Sequence, residues 1–201
     1  NKNIECIGCA SMKKKDRILI IDFGSQYTQL IARRVREIGV YSEVVPSSLS
    51  TNRIIEMNPL GIILSGGPET VTSNTASKVD TDLFSSGIPI LGICYGMQTL
   101  AKELGGDVVT SDVREFGHAS ISLANSSILF EGVDLNEGLL DVWMSHGDKV
   151  TNLPKGFEVI ASSKNCSISG FQKINQNIYG LQFHPEVTHT NQGEKILSNF
   201  L

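Results

Sequence analysis

The chain has little of what would place it in several large protein classes. Four cysteines in 201 residues, Cys6, Cys9, Cys94 and Cys166, are too few for a disulfide framework. That scarcity points to a reducing, cytoplasmic setting. No apolar run approaches the ~20 residues of a membrane-spanning helix. The basic head up to Arg17 lacks the apolar core that follows the charges of a secretory signal. A net charge of −4 gives no electrostatic reason for a nucleic-acid partner. No set of His, Cys, Asp and Glu has the spacing of metal ligands, so no metal is expected. No glycine-rich loop ends in Gly-Lys-Ser or Gly-Lys-Thr to cradle phosphates. Repeats, low-complexity tracts and linkers are also missing. One domain over residues 17–201 is therefore the simplest organisation, with residues 1–16 as a leader or disordered head. In that head, Cys6 and Cys9 form a C-x-x-C that could be half a zinc site or a redox pair. No second ligand pair lies nearby and no strand precedes it, and Met12 looks like a natural start.

What is present is a rhythm. Ile18–Asp22 is a short, continuous apolar run, as in a buried parallel strand. From Gln26 to Ile38, apolar residues recur at 27, 30, 31, 35 and 38, a helical stripe that Gly39 stops. Strands follow at Tyr41–Val45, Leu60–Leu64 and Ile88–Ile93. Helices are expected at Thr51–Met57, Val79–Phe84 and Tyr95–Leu104. This alternation predicts an α/β fold with an open, mostly parallel, doubly wound sheet. The second half changes character. Runs at 116–123, 139–144, 157–163, 167–173 and 177–183 read as strands, explained as antiparallel additions to the same sheet. A last helix begins at Gly193. Sites in open α/β sheets form at the carboxyl ends of strands. Three candidates end strands here: Asp22 to Ser25, Ser65 to Pro68, and Cys94.

The chemistry concentrates at Cys94. Gly92-Ile93-Cys94-Tyr95-Gly96 has the form G-x-C-x-G on a strand-to-helix turn. A nucleophile elbow needs a strained backbone and small neighbours, and a glycine two positions to either side supplies the room. The helix that follows presents its N-terminus to the sulfur and favours the thiolate. The Tyr95 amide is placed to bind an oxyanion, and a Gly67 amide could be a second donor. His184 and Glu186 lie at i and i+2. If the strand ending at Phe183 continues through them, both point to one face, and the carboxylate can fix the imidazole tautomer. Pro185, which donates no backbone hydrogen bond, suits a strand end. A thiol, an imidazole and a carboxylate are the parts of a cysteine acyl-transfer site. His146, read as lying in a polar turn after an apolar strand, is a weaker competitor for the base. Cys166, in a polar stretch, reads as a loop or strand-edge residue. The basic face with Arg33, Arg34 and Arg36 reads first as a solvated surface and second as a docking face.

At Gly92–Gln98, Ser65–Pro68 and Gln182–Glu186 the chain resembles the class I glutamine amidotransferases, from about Arg17 to Leu201. The resemblance implies hydrolysis of the glutamine side-chain amide through a γ-glutamyl thioester, with release of ammonia. It makes Cys94 the nucleophile, His184 the base and acid, and Glu186 the orienting carboxylate. Gly67 and Tyr95 become oxyanion donors. Gln98, Ser25, Ser145 and Gly147 fall where glutamine is contacted, and no cofactor is implied. Asp22–Glu37, Val142–Val150 and His184–Thr190 further resemble the GMP synthetase branch. In that branch ammonia aminates XMP with Mg-ATP, in an ATP-pyrophosphatase domain of the same chain, and a homodimer is expected. Two other readings stay open. One is a related cysteine peptidase or γ-glutamyl hydrolase; the other is a docking or regulatory module that is silent without its synthetase domain.

Overall fold

A computed structural model describes residues 16–67 and 70–201. Cys6, Cys9, Pro68 and nearly all of the proposed leader lie outside these residues. The chain order is β1 (Arg17–Asp22), α1 (Thr28–Glu37), β2 (Tyr41–Pro46), α2 (Thr51–Met57), β3 (Gly61–Leu64), β4 (Ile90–Ile93), α3 (Tyr95–Glu103), β5 (Asp107–Leu123), β6 (Leu139–Asn152), β7 (Phe157–Ser163), β8 (Gly170–Lys173), β9 (Ile178–Leu181) and α4 (Gly193–Phe200). The strands form one nine-stranded sheet in the order β2-β1-β3-β4-β9-β8-β7-β5-β6.

Period-two alternation in β1 divides the interior. Ile18 and Ile20 pack with Ile31, Ala32 and Val35 of α1 and Ile196 and Leu197 of α4. Leu19 and Ile21 pack with Ile54 of α2 and Met97, Leu100 and Ala101 of α3. Each face of the sheet is thus covered by its own pair of helices, and the strands between are apolar on both sides. Local chemistry sets the helix ends. The Ser50 hydroxyl accepts from the Arg53 amide at 3.4 Å, and Asn58 closes α2 in the left-handed region at φ 49°. Gly39 ends α1 at φ +101°.

The structure corrects four expectations. β9 is not an antiparallel addition, because it pairs in parallel with β4, Ile93 opposite Leu181. Strands β5 and β6 run well beyond 116–123 and 139–144, as a long antiparallel pair with a register shift between Thr110 and Glu115. His146 therefore lies inside a strand rather than a turn, buried at 5% exposure. The segment 79–84 is not an α-helix but a short 3₁₀ turn over Thr81–Ser85. Asp80 sets its start by accepting from both Thr51 and Asp82 amides. Cys166 is buried as well, with its S–H on the Ile168 carbonyl at 3.3 Å and its own carbonyl accepting from Ser169.

Candidate active site

Four neighbouring parallel strands, β1, β3, β4 and β9, deliver their carboxyl ends to one edge. Each end carries a candidate group. Ser25 follows β1, Gly66 and Gly67 follow β3, Cys94 follows β4, and Gln182 and His184 follow β9. A cavity of about 180 Å³ is lined by Ser25, Tyr27, Gly66, Gly67, Cys94, Ser145 and His184, among others. A second of about 460 Å³ adjoins it, and both share Gln26, Gly67, Cys94 and Ser145. Cys94 stands at the junction.

The elbow is built as its glycines suggest. Cys94 has φ 53° and ψ −106°, a conformation that costs a non-glycine residue about 1–3 kcal/mol. Its amide is tied to the Leu181 carbonyl at 2.7 Å, and its carbonyl begins α3 by accepting from Gln98 at 3.1 Å. A Cβ on Gly96 would sit 2.3 Å from the Leu64 carbonyl oxygen, and one on Gly92 would sit 2.7 Å from the Gly96 backbone. Only glycine lets the turn fold against β3. The Tyr95 amide begins α3, and the Tyr95 ring is held by its hydroxyl on the Ser77 carbonyl at 2.8 Å. A Cβ on Gly67 would meet that ring at 3.0 Å, so the Gly67 backbone packs closely on the Tyr95 side chain.

His184 Nδ1–H donates to Glu186 Oε1 at 2.7 Å, and both residues are buried. The contact comes by a different backbone route from the one expected. Strand β9 stops at Leu181, and residues 185–186 form a turn. The turn is pinned from several sides. The His184 amide donates to the Trp143 carbonyl at 3.0 Å, and the Thr190 hydroxyl donates to the His184 carbonyl at 2.6 Å. Arg34 Nε donates to the Glu186 carbonyl at 3.0 Å. Tyr27 lies against the imidazole at 5.4 Å between ring centroids.

With Nδ1 engaged, Nε2 is left for Cys94, which lines the same cavity as the ring and helps to raise it. Burial opposes a charged imidazole, but the Glu186 carboxylate and the Cys94 side chain outweigh it. Together they hold His184 well above its ordinary range. The Cys94 S–H has an acceptor in the Ser145 carbonyl at 3.4 Å. Ser145 thus meets the sulfur through its backbone. The Ser25 hydroxyl caps the Tyr27 amide at 3.0 Å and faces Gly66. Gly147 lines the larger cavity beneath the Arg114 side chain. Gln98 also lines it, but its amide nitrogen is already bonded to the Asp148 carbonyl at 2.9 Å and to Gln182 Oε1 at 3.2 Å.

Residues 19–201 match the family model of the class-I glutamine amidotransferases. The chain belongs to the class I glutamine amidotransferase family. It is 57% identical over 187 residues to a glutamine-hydrolyzing GMP synthase of Ruthia magnifica subsp. Calyptogena magnifica, covering 92% of this chain and 36% of that protein. The like-named protein of Haemophilus influenzae strain PittGG is 54% identical over 189 residues, with 92% and 36% covered. The chain thus spans about a third of the length of the curated relatives it matches. Among solved structures, a Thermoplasma acidophilum protein described as a GMP synthase subunit superposes with a TM-score of 0.83 at 34% identity, covering 92% of both chains. A Thermotoga maritima glutamine amidotransferase shares the fold, with a TM-score of 0.69 at 23% identity over 86% of this chain and 76% of that one.

Several residues around this site have contacts that the sequence did not suggest. Arg34 is not simply part of a solvated face; its guanidinium is a strut under the Glu186 turn. Gln182 reaches the Cys94 sulfur at 3.6 Å. Its only signal was its place in the same short motif as His184. Ligand atoms of Glu115, His146 and Cys166 lie within 4.8 Å of one another, a meeting that sequence spacing did not suggest. Protein partners already serve this group. His146 Nε2 faces Glu115 Oε2 at 2.9 Å, Nδ1 faces the Asp148 carbonyl at 2.9 Å, and the Cys166 S–H is on Ile168. No helix among the described residues is long and apolar enough to cross a membrane.

Proposed function

We propose that the chain hydrolyses the side-chain amide of glutamine, with Cys94, His184 and Glu186 as its catalytic groups. The observation that carries this is the strained elbow at Cys94, facing an imidazole that is itself bonded to a buried carboxylate. The Cys94 thiolate attacks the amide carbon, and the negative oxygen forms against the Gly67 and Tyr95 amides. His184 passes its proton to the departing nitrogen, and ammonia leaves. A γ-glutamyl thioester remains on Cys94. His184 then takes a proton from water, the resulting hydroxide attacks the thioester carbon, and glutamate is released. Glu186 keeps the ring in one tautomer and offsets its charge throughout. The cavities beside Cys94, with Ser25, Ser145, Gly147 and Gln98 on their walls, would hold the glutamine.

The ammonia would serve the amination of XMP to GMP, driven by Mg-ATP in an ATP-pyrophosphatase domain, with the whole enzyme a cytoplasmic homodimer. The names and greater length of the relatives support this reading. So does the rim of the larger cavity. Phe116 lines it at 68% exposure, with Val113 at 60% nearby on the same strand, an apolar edge suited to a docked domain. The decisive experiment measures ammonia and glutamate release from glutamine by the chain and by its Cys94→Ala variant. Loss of both products in the variant is expected. Undiminished release would overturn the assignment.

A further inference from the structure

Two buried glutamine amides connect the interior of the β5–β6 pair to the Cys94 sulfur, and their polarity can be worked out. An amide's oxygen and nitrogen are alike in shape, so only the surrounding hydrogen bonds decide which way it faces. The chain of contacts begins at the Asp148 carbonyl, an atom that can only accept. Gln98 must therefore turn its NH₂ toward it, at 2.9 Å. The second hydrogen of that same nitrogen points to Gln182 at 3.2 Å, so Gln182 must present Oε1 there. Gln182 Nε2 is then left facing Cys94 Sγ at 3.6 Å, as a donor. His146 Nδ1 bonds the same Asp148 carbonyl at 2.9 Å and holds the anchor in place. Reversing Gln182 would set an oxygen lone pair against the sulfur and two NH₂ groups against each other. Gln182 is fully buried and Gln98 is 3% exposed, so water cannot repair such a mismatch.

We infer that Gln182 is a further catalytic residue, an amide donor to the Cys94 sulfur whose direction is set by Gln98 and the Asp148 carbonyl. The inference rests on Cys94 being the nucleophile. A donor bonds the thiolate more strongly than the thiol. It therefore acts twice: on the thiolate that attacks the amide carbon, and on the sulfur when the thioester carbon–sulfur bond breaks and the electron pair returns to it. Gln98, one link further away, is a positioning residue for this donor in addition to lining the cavity.

The test uses iodoacetamide as the probe and reads Cys94 alkylation by peptide mass spectrometry across pH, independently of glutamine. Gln182→Glu keeps the side-chain shape but replaces the donor with an acceptor; Gln182→Met removes both. Both variants are expected to move the alkylation profile of Cys94 to higher pH, with roughly a tenfold lower rate at neutral pH. A purely structural Gln182 would lower the melting temperature and leave the profile in place, and that result would overturn the inference. Should the variants not fold, the unmodified chain decides. The Gln182 side-chain NH₂ resonances should move as Cys94 titrates and again when it is alkylated, whereas unmoved resonances would refute the donor. Failure of the chain to hydrolyse glutamine would instead count against the proposed function, and leaves these readouts unaffected.

Discussion

His184 Nδ1 and Glu186 Oε1 sit 2.7 Å apart across a turn that begins after the strand delivering them has ended. The pair lies in the interior, where a charged ring is costly, yet Glu186 and Cys94 together raise the imidazole well above its ordinary range despite that burial. The pH dependence follows from the sign. A histidine raised on folding adds stability that is fully present below its unfolded value of about 6.5 and is lost as pH climbs through the raised folded value. In Glu186→Gln the principal raising group is gone and burial still opposes charge. The alkaline loss of stability should therefore shift to lower pH, measured as denaturant midpoints between about pH 5 and pH 10. Glutamine hydrolysis should fall steeply, on the order of 10⁴-fold if the carboxylate acts as in other triads. An unchanged pH profile of stability would show that Glu186 does not set the charge of His184.

Much of this arrangement was legible in the sequence, and the parts that were not share a cause. Helix α2 falls on Thr51–Met57 as its Pro59 boundary suggests, and the parallel strands follow their apolar runs. Local pattern is enough for α2 because Ser50 caps its start and Asn58 closes its end. It is not enough for β9, which reads correctly as a strand but is expected antiparallel and pairs in parallel with β4; partner choice is a tertiary decision. Nor does it find the start of β5, where Asp107–Glu115 has little alternation because both its faces are largely open to solvent. His184 and Glu186 were paired for a sound chemical reason through an incorrect backbone route. Arg34 bonds a carbonyl 152 positions away, and no local signal in an arginine-rich helix could single it out.

Gly96 is the most demanding position in the elbow. A Cβ there would overlap the Leu64 carbonyl oxygen at 2.3 Å, a backbone atom that cannot swing aside. Gly96→Ala must push α3 away from β3 or tilt the Cys94 turn. A loss of about 1–3 kcal/mol or more is expected from overpacking, read as a lower denaturant midpoint at unchanged slope. Glutamine hydrolysis should be lost well before the fold is, since the sulfur moves with the turn. Wild-type stability in this variant would mean that the close approach of α3 to β3 is not a constraint.

Arg34 tests how far the turn depends on a support from across the sheet. Its Nε holds the Glu186 carbonyl at 3.0 Å while a terminal nitrogen pairs with Glu37 at 2.7 Å. The ion pair is partly exposed and adds little. The bond to the carbonyl should contribute about 1 kcal/mol. Arg34→Met is expected to lower kcat for glutamine hydrolysis more than it changes KM, because it loosens the turn that carries the proposed base, His184. Arg34→Lys should fail to restore it, since a point ammonium cannot serve both partners in fixed directions as the guanidinium does. Full kcat in Arg34→Met would reduce the residue to surface charge.

His146 separates a buried structural histidine from a catalytic one. Its Nδ1 and Nε2 face a carbonyl and a carboxylate, the Asp148 oxygen and Glu115 Oε2, each at 2.9 Å. The ring thus bridges two acceptor groups inside the protein. Removing one partner strands the other. His146→Ala should destabilise the fold by about 3–5 kcal/mol, the usual consequence of leaving a buried charge uncompensated. Replacing both residues, as in His146→Phe with Glu115→Leu, should recover a large part of that loss, because no charge is then left behind. Denaturant melts of the two single variants and the double variant give the coupling directly. If His146 were instead the working base, the double variant would regain stability without regaining glutamine hydrolysis. Recovery of both together, alongside an inactive but stable His184→Ala, assigns proton transfer to His184 alone.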